Sequence, residues 1–174
     1  MAIARETFMA VLEDSYSVYY NIIPNDGATA LPLAFRADYV SRAERYWITK
    51  SIPIWGNESN EYAYIFSAPT FDAVTVESCM DYALSDGLPR VKPHKEHQYT
   101  NIKAIFIADR FDDAAKKAVQ KRRFTKSYHF SLYGYSTLLT AAVDLSERKT
   151  STNKAGHDLA VYFKKLFDAR KDET

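Results

Sequence analysis

Apolar side chains recur between residues 3 and 23 at steps of three and four: Phe8, Leu12, Tyr16, Tyr19 and Ile23, with Glu13, Asp14 and Ser15 between them. That spacing stacks them on one face and predicts an amphipathic helix stopped by Pro24, with Asn25-Asp26-Gly27 as a turn. The period then shortens to two. Leu33, Phe35, Ala37 and Tyr39 alternate with Arg36 and Asp38, a strand with one wetter face. Residues 46–55 are rich in aromatic and β-branched side chains and predict a second strand, with Pro53 favouring an edge or a bulge. Residues 56–60 read as a turn and 61–66 as the returning strand of a hairpin, with Tyr62, Tyr64 and Phe66 on one face.

Helical spacing returns over residues 72–85, where Asp72 is the expected N-cap, Val76, Met80, Ala83 and Leu84 form the apolar stripe, and Gly87 ends the helix. After a loop over 88–99, residues 102–108 are apolar on both faces, as a central, doubly covered strand requires. Asp112 caps a helix through Arg123, so strand, helix and following strand predict a parallel crossover. Strands over 128–135 and 137–145 are expected to be separated by a bend at Gly134. A turn over 146–149 and a short pairing segment over 150–152 follow, and Asn153 caps a last helix with Leu159, Phe163, Leu166 and Phe167 inward. The predicted fold is mixed α/β (α+β), a central mixed sheet of about five to six strands flanked by helices, in the order α-β-β-β-α-β-α-β-β-α. One globular domain is expected over residues 1–167, with a polar tail over 168–174.

Composition narrows the class. With 174 residues, 47% hydrophobic and 26% charged, the chain can bury a real core and is not disordered. A single cysteine, Cys79, excludes an internal disulfide or a Cys-cluster zinc site, and its place beside the helical stripe predicts a buried thiol. No apolar run approaches membrane-spanning length and the segment MAIARETF lacks a signal-like stretch, so a cytoplasmic protein with no membrane partner is expected. The net charge of +1 conceals an uneven distribution. Residues 90–126 carry eleven bases against four acids, whereas residues 51–89 carry six acids and no base. The basic helix, with Lys116, Lys117, Lys121, Arg122 and Arg123, is therefore a candidate binding face for an acidic protein or a nucleic acid, unless the neighbouring acids neutralise it in the fold.

Other chemistry is sparse. His94 and His97 flank Lys95-Glu96 and, with Glu61 and Asp109, could supply divalent-metal ligands; a solvated polar loop and a helix-feeding turn are the plainer roles. No other cofactor is evident, since the five glycines form no phosphate-binding array. Thirteen tyrosines include the pairs Tyr62/Tyr64 and Tyr133/Tyr135, each two apart on a predicted strand; such faces could stack a ligand or a second copy of the chain, or simply pack a core.

The order of helix, three-strand meander, helix and parallel strand over residues 5–135 resembles the restriction-endonuclease-like (PD-(D/E)XK) core, and Ile105–Ala115 is similar to the passage from strand to helix in some of its members. The resemblance implies a metal-dependent nuclease site: a carboxylate on the second strand and an acid-x-Lys on the third, holding Mg²⁺ and positioning water. The chain departs from that pattern. Its third strand reads Glu61-Tyr62-Ala63, the second offers Lys50 but no acid, and the one Glu-x-Lys, Glu147-Arg148-Lys149, lies in a late turn with Asp144 too close before it. Three readings follow: a non-catalytic binding module using the basic face, a metal-dependent nuclease-like hydrolase, or a self-associating homo-oligomer.

Overall fold

A computed structural model describes residues 4–27, 29–43 and 57–169. Seven strands form one mixed sheet: β1 (Asn21–Pro24), β2 (Leu33–Ala43), β3 (Asn57–Phe71), β4 (His97–Phe111), β5 (Thr125–Ser127), β6 (Tyr135–Asp144) and β7 (Lys149–Thr152). The spatial order is β1-β2-β3-β4-β6, with β5 and β7 both paired to the outer edge of β6. β1, β2 and β3 are an antiparallel meander; β3, β4 and β6 run parallel. Parallel neighbours need crossovers, and two helices supply them: α2 (Ala73–Gly87) between β3 and β4, and α3 (Asp113–Lys121) between β4 and β6. The first and last helices, α1 (Arg5–Ser17) and α4 (His157–Ala169), cover the opposite face.

Alternation along the central strands divides the core in two. Tyr64, Phe66, Ile102, Ala104, Phe106 and Leu138 pack beneath α2 and α3. Ala63, Ile65, Ile105, Ile107, Leu139 and Val143 pack beneath α1 and α4. β4, apolar on both faces, is the strand the sequence predicts to be central. Asp72 and Asp112 cap α2 and α3 through the Thr75 and Ala115 N–H groups (2.7 and 2.6 Å). Asn153 caps the short 3-10 turn ahead of α4: its amide oxygen accepts from Gly156 N–H at 2.8 Å, while its amide nitrogen donates to the carbonyls of Leu138 and Arg122.

Several expectations are corrected. The first helix stops at Ser17; Tyr19 is 75% exposed and Ile23 lies in β1, because pairing of residues 21–24 with 35–38 outcompetes a continued helix. Residues 57–60, read as a turn for their polarity, open β3 against β2. The segment 46–55 lies outside the described residues. A register shift between Leu33 and Phe35 turns Leu33 toward α2 while Phe35 and Ala37 face α1. Gly87 does not end α2 by a left-handed turn; a Cβ there would meet Ile102 at 3.0 Å, so its value is close approach to the sheet. Residues 128–134 are a loop instead of a strand, with His129, Phe130 and Ser131 all at positive φ (47°, 52° and 69°). Tyr62 and Tyr64 are buried beneath α2, so that pair offers no open face for stacking or self-association, whereas Tyr133 lies in the loop and Tyr135, at the start of β6, is 43% exposed.

Candidate functional site

Two places concentrate polar groups that the core does not consume. The first begins with a lysine inside the apolar run of β4. Lys103 is 8% exposed and faces the α1/α4 side, where its ammonium pairs with Glu61 of β3 and lies 3.2 Å from the Tyr20 hydroxyl. Tyr20 in turn donates to the Glu61 carboxylate. Burial first, then the bond to Glu61, raises the Tyr20 phenol well above its ordinary range, so it acts as a donor at neutral pH. Above this triad a cleft of about 310 Å³ opens between the end of α1 and the start of α4.

The second place is the end of α3 and the loop it leads into. Lys117, Lys121, Arg123 and Lys126 are exposed. The other two basic residues of the helix are engaged: Lys116 with Asp144 and Glu147 (3.0 and 3.3 Å), and Arg122 with Glu77 and Asp81 of α2 (2.8 and 2.5 Å). The acidic and basic stretches thus partly neutralise each other across the α2–α3 contact. Arg123 folds back on the carbonyl of Gln120 (2.6 Å) at the C-terminal end of α3, where a cation suits the helix dipole.

The loop after β5 holds Phe130 99% and Leu132 76% exposed. Three consecutive left-handed residues cost about 1–2 kcal/mol each, so other bonds must hold them. Tyr128 N–H donates to the Gly134 carbonyl (3.0 Å), Tyr133 N–H to that of Tyr128 (3.2 Å) and Leu132 N–H to that of His129 (3.0 Å). His97, 3% exposed, closes the arrangement. Its Nδ1 lies 2.7 Å from the Tyr133 carbonyl, which can only accept, so Nδ1 carries the proton; Nε2 faces the Thr100 hydroxyl at 2.9 Å.

Residues 4–165 match a family described as a domain of unknown function (DUF8052). The chain belongs to this family. No curated protein and no solved structure matches it.

In this DUF8052 domain the four sequence-predicted metal ligands do not converge. Both ring nitrogens of His97 are occupied, Nδ1 by the Tyr133 carbonyl of the loop and Nε2 by the Thr100 hydroxyl of β4, and His94 lies 3.2 Å from Glu58. Glu61 is engaged by Lys103 and Tyr20. Asp109 pairs with Arg5 at 3.3 Å and lies eight residues along β4 from Asn101, the register partner of Glu61, which is roughly 26 Å. Among the described residues no three His, Cys, Asp or Glu side chains are grouped to hold a metal ion. Of the predicted basic face, the structure leaves Lys117, Lys121 and Arg123 exposed and ties Lys116 and Arg122 into ion pairs. Sequence reasoning missed Tyr20, Lys103 and the loop tip at Phe130. A lysine interrupting an apolar central strand was the available signal for the first site; Gly134 was the signal for the loop, read instead as a bend within a strand. No helix among the described residues is long and apolar enough to cross a membrane.

Proposed function

We propose that this DUF8052 domain is a non-catalytic binding module for single-stranded nucleic acid, docking through the end of α3, β5 and the loop over 128–134. The observation that carries the reading is Phe130, held in solvent by a clamped, strained loop that follows directly on exposed Lys121, Arg123 and Lys126. An aromatic ring fixed in water beside cations suits a base stacked on the ring and phosphates tracked by the lysines. An acidic protein partner would use the cations and leave the ring idle. The lone buried thiol of Cys79 suits a reduced, cytoplasmic setting.

The restriction-endonuclease-like resemblance belongs to the same proposal, supported by the order of helix, antiparallel meander, helix and parallel strand. Within that frame Glu61 stands on the third strand, its register partner on β2 is Tyr39 where an acid would be needed, and Ala63 stands where the lysine would be. Lys103 sits beside Ala63 on β4, but Glu61 already neutralises it. Those replacements support binding without hydrolysis.

The test is fluorescence anisotropy with a labelled single-stranded oligonucleotide. Affinity should fall at least tenfold between about 50 and 200 mM salt. Lys121→Glu with Lys126→Glu should weaken binding tenfold or more, and Phe130→Ala by about tenfold, the worth of one stacked base. Absence of binding at the lower salt, or affinity indifferent to all three substitutions, would overturn the reading.

A further inference from the structure

We propose that the cleft over Lys103 is a separate site for a small organic cation, an ammonium on a short apolar body, seated between tyrosine rings with its charge toward Asp158. The site lies on the α1/α4 face of the sheet, and the inference does not depend on nucleic-acid binding at the loop.

Its walls are aromatic. Tyr16 and Tyr162 meet edge to face at 6.2 Å, and Tyr16 and Tyr20 are tilted together at 4.7 Å. Tyr19, 75% exposed, stands at the mouth, and Leu139 and Leu159 complete the apolar lining. A volume of about 310 Å³ suits a molecule of roughly ten to fifteen heavy atoms.

Charge decides what that molecule carries. The cleft holds one cation, Lys103, and two carboxylates, Glu61 and Asp158. Lys103 and Glu61 satisfy each other, so the ammonium is not free to receive an anion. Asp158 has no ion-pair or hydrogen-bond partner among the described residues and is exposed at the first turn of α4. A carboxylate or phosphate entering here would add to the negative charge of Asp158, whereas an ammonium would offset it. Tyrosine faces add attraction for the same charge, and Lys103 already shows this chemistry, with its Nζ 5.6 Å from the Tyr20 ring centroid.

Tyr16 offers the cleft a polar group as well as a ring. It lines the cleft, and its hydroxyl makes no hydrogen bond to another described side chain or backbone group, so it is open to a ligand. Burial raises the Tyr16 and Tyr162 phenols above their ordinary range, so both keep their protons and the rings stay neutral at working pH.

Calorimetric titration of the full chain with 2-phenylethylammonium tests the assignment, with 3-phenylpropionate as the anion of similar shape and 2-phenylethanol as the neutral one. The cation should bind at least tenfold more tightly than either. Asp158→Asn, a surface change that leaves the core intact, should remove that preference. Tyr16→Phe should weaken the cation a few-fold, and the two-dimensional NMR shifts it induces should map to α1 and α4. Equal affinity for cation and anion, a preference unaltered in Asp158→Asn, or absence of cation binding at about 10 mM would each overturn the proposal.

Discussion

Asp144 shows how single side chains are made to matter here. It is 1% exposed, accepts from the Ser146 hydroxyl (2.8 Å) and the Glu147 N–H (3.1 Å), and meets the Lys116 ammonium at 3.0 Å. Burial pushes its carboxyl up, but Ser146, Lys116 and the Glu147 N–H together outweigh burial and hold it below the ordinary carboxylate value. A depressed folded value stabilises the protein above the unfolded pKa of about 4 and is lost as pH falls through the folded value. Asp144→Asn should therefore cost about 2 kcal/mol at neutral pH, and the gap from the parent chain should close as pH drops below about 4. Urea titrations of both chains across that range check the sign; a gap that widens in acid would contradict it. Cap residues such as Asp72, Asp112 and Asn153 were legible from sequence because their chemistry is local. His97 was not. Thr100 is a neighbour on its own strand, but the Tyr133 carbonyl reaches it only by folding, so a loop clamp looked like half of a metal pair.

Among the elements, legibility followed how much of the pattern was settled by the segment itself. β4, α2 and α3 carry continuous apolar runs or full helical stripes with caps, and they appear where those patterns place them. The spacing of residues 19–23 fits both periods, since Tyr20 and Ile22 also reach the α1-side core from a strand, and pairing with β2 decides it. The loop over 128–134 alternates like a strand, yet its backbone is fixed from outside. At Gly134 an added Cβ would lie 2.3 Å from the Gln98 carbonyl oxygen and 2.6 Å from that of His97, at φ +76°. Gly134→Ala should cost more than about 2 kcal/mol, the left-handed penalty plus the displacement of β4 or the loop. Gly27 is the control: φ is +81° with nothing within 4 Å, so Gly27→Ala should cost only about 1 kcal/mol. Equal urea midpoints for the two variants would remove the case that Gly134 anchors the loop.

For the whole molecule, the decisive relation joins the two ends of the described chain. Phe8 of α1 lies 6.4 Å from Phe163 and 5.4 Å from Phe167 of α4, ring centre to ring centre, and all three are buried. Phe163→Ala should destabilise by about 3–5 kcal/mol. The double variant with Phe8→Ala should cost less than the two single losses together, because the rings share contacts. Thermal melts of the four chains measure that coupling; strict additivity would mean the helices are stabilised separately. The sequence showed two amphipathic helices far apart, but nothing in either stripe says that they share one face of the sheet.

That shared face has a consequence while the protein is being synthesised. As the chain leaves the ribosome, α1 and the meander emerge first, and the sheet can acquire α2 and α3 on its other side in sequence order. The side bearing Ala63, Ile65, Ile105 and Ile107 stays half-covered until Phe163 and Phe167 arrive at the end. Until then the nascent chain displays an open apolar face, the kind of surface through which incompletely folded chains associate.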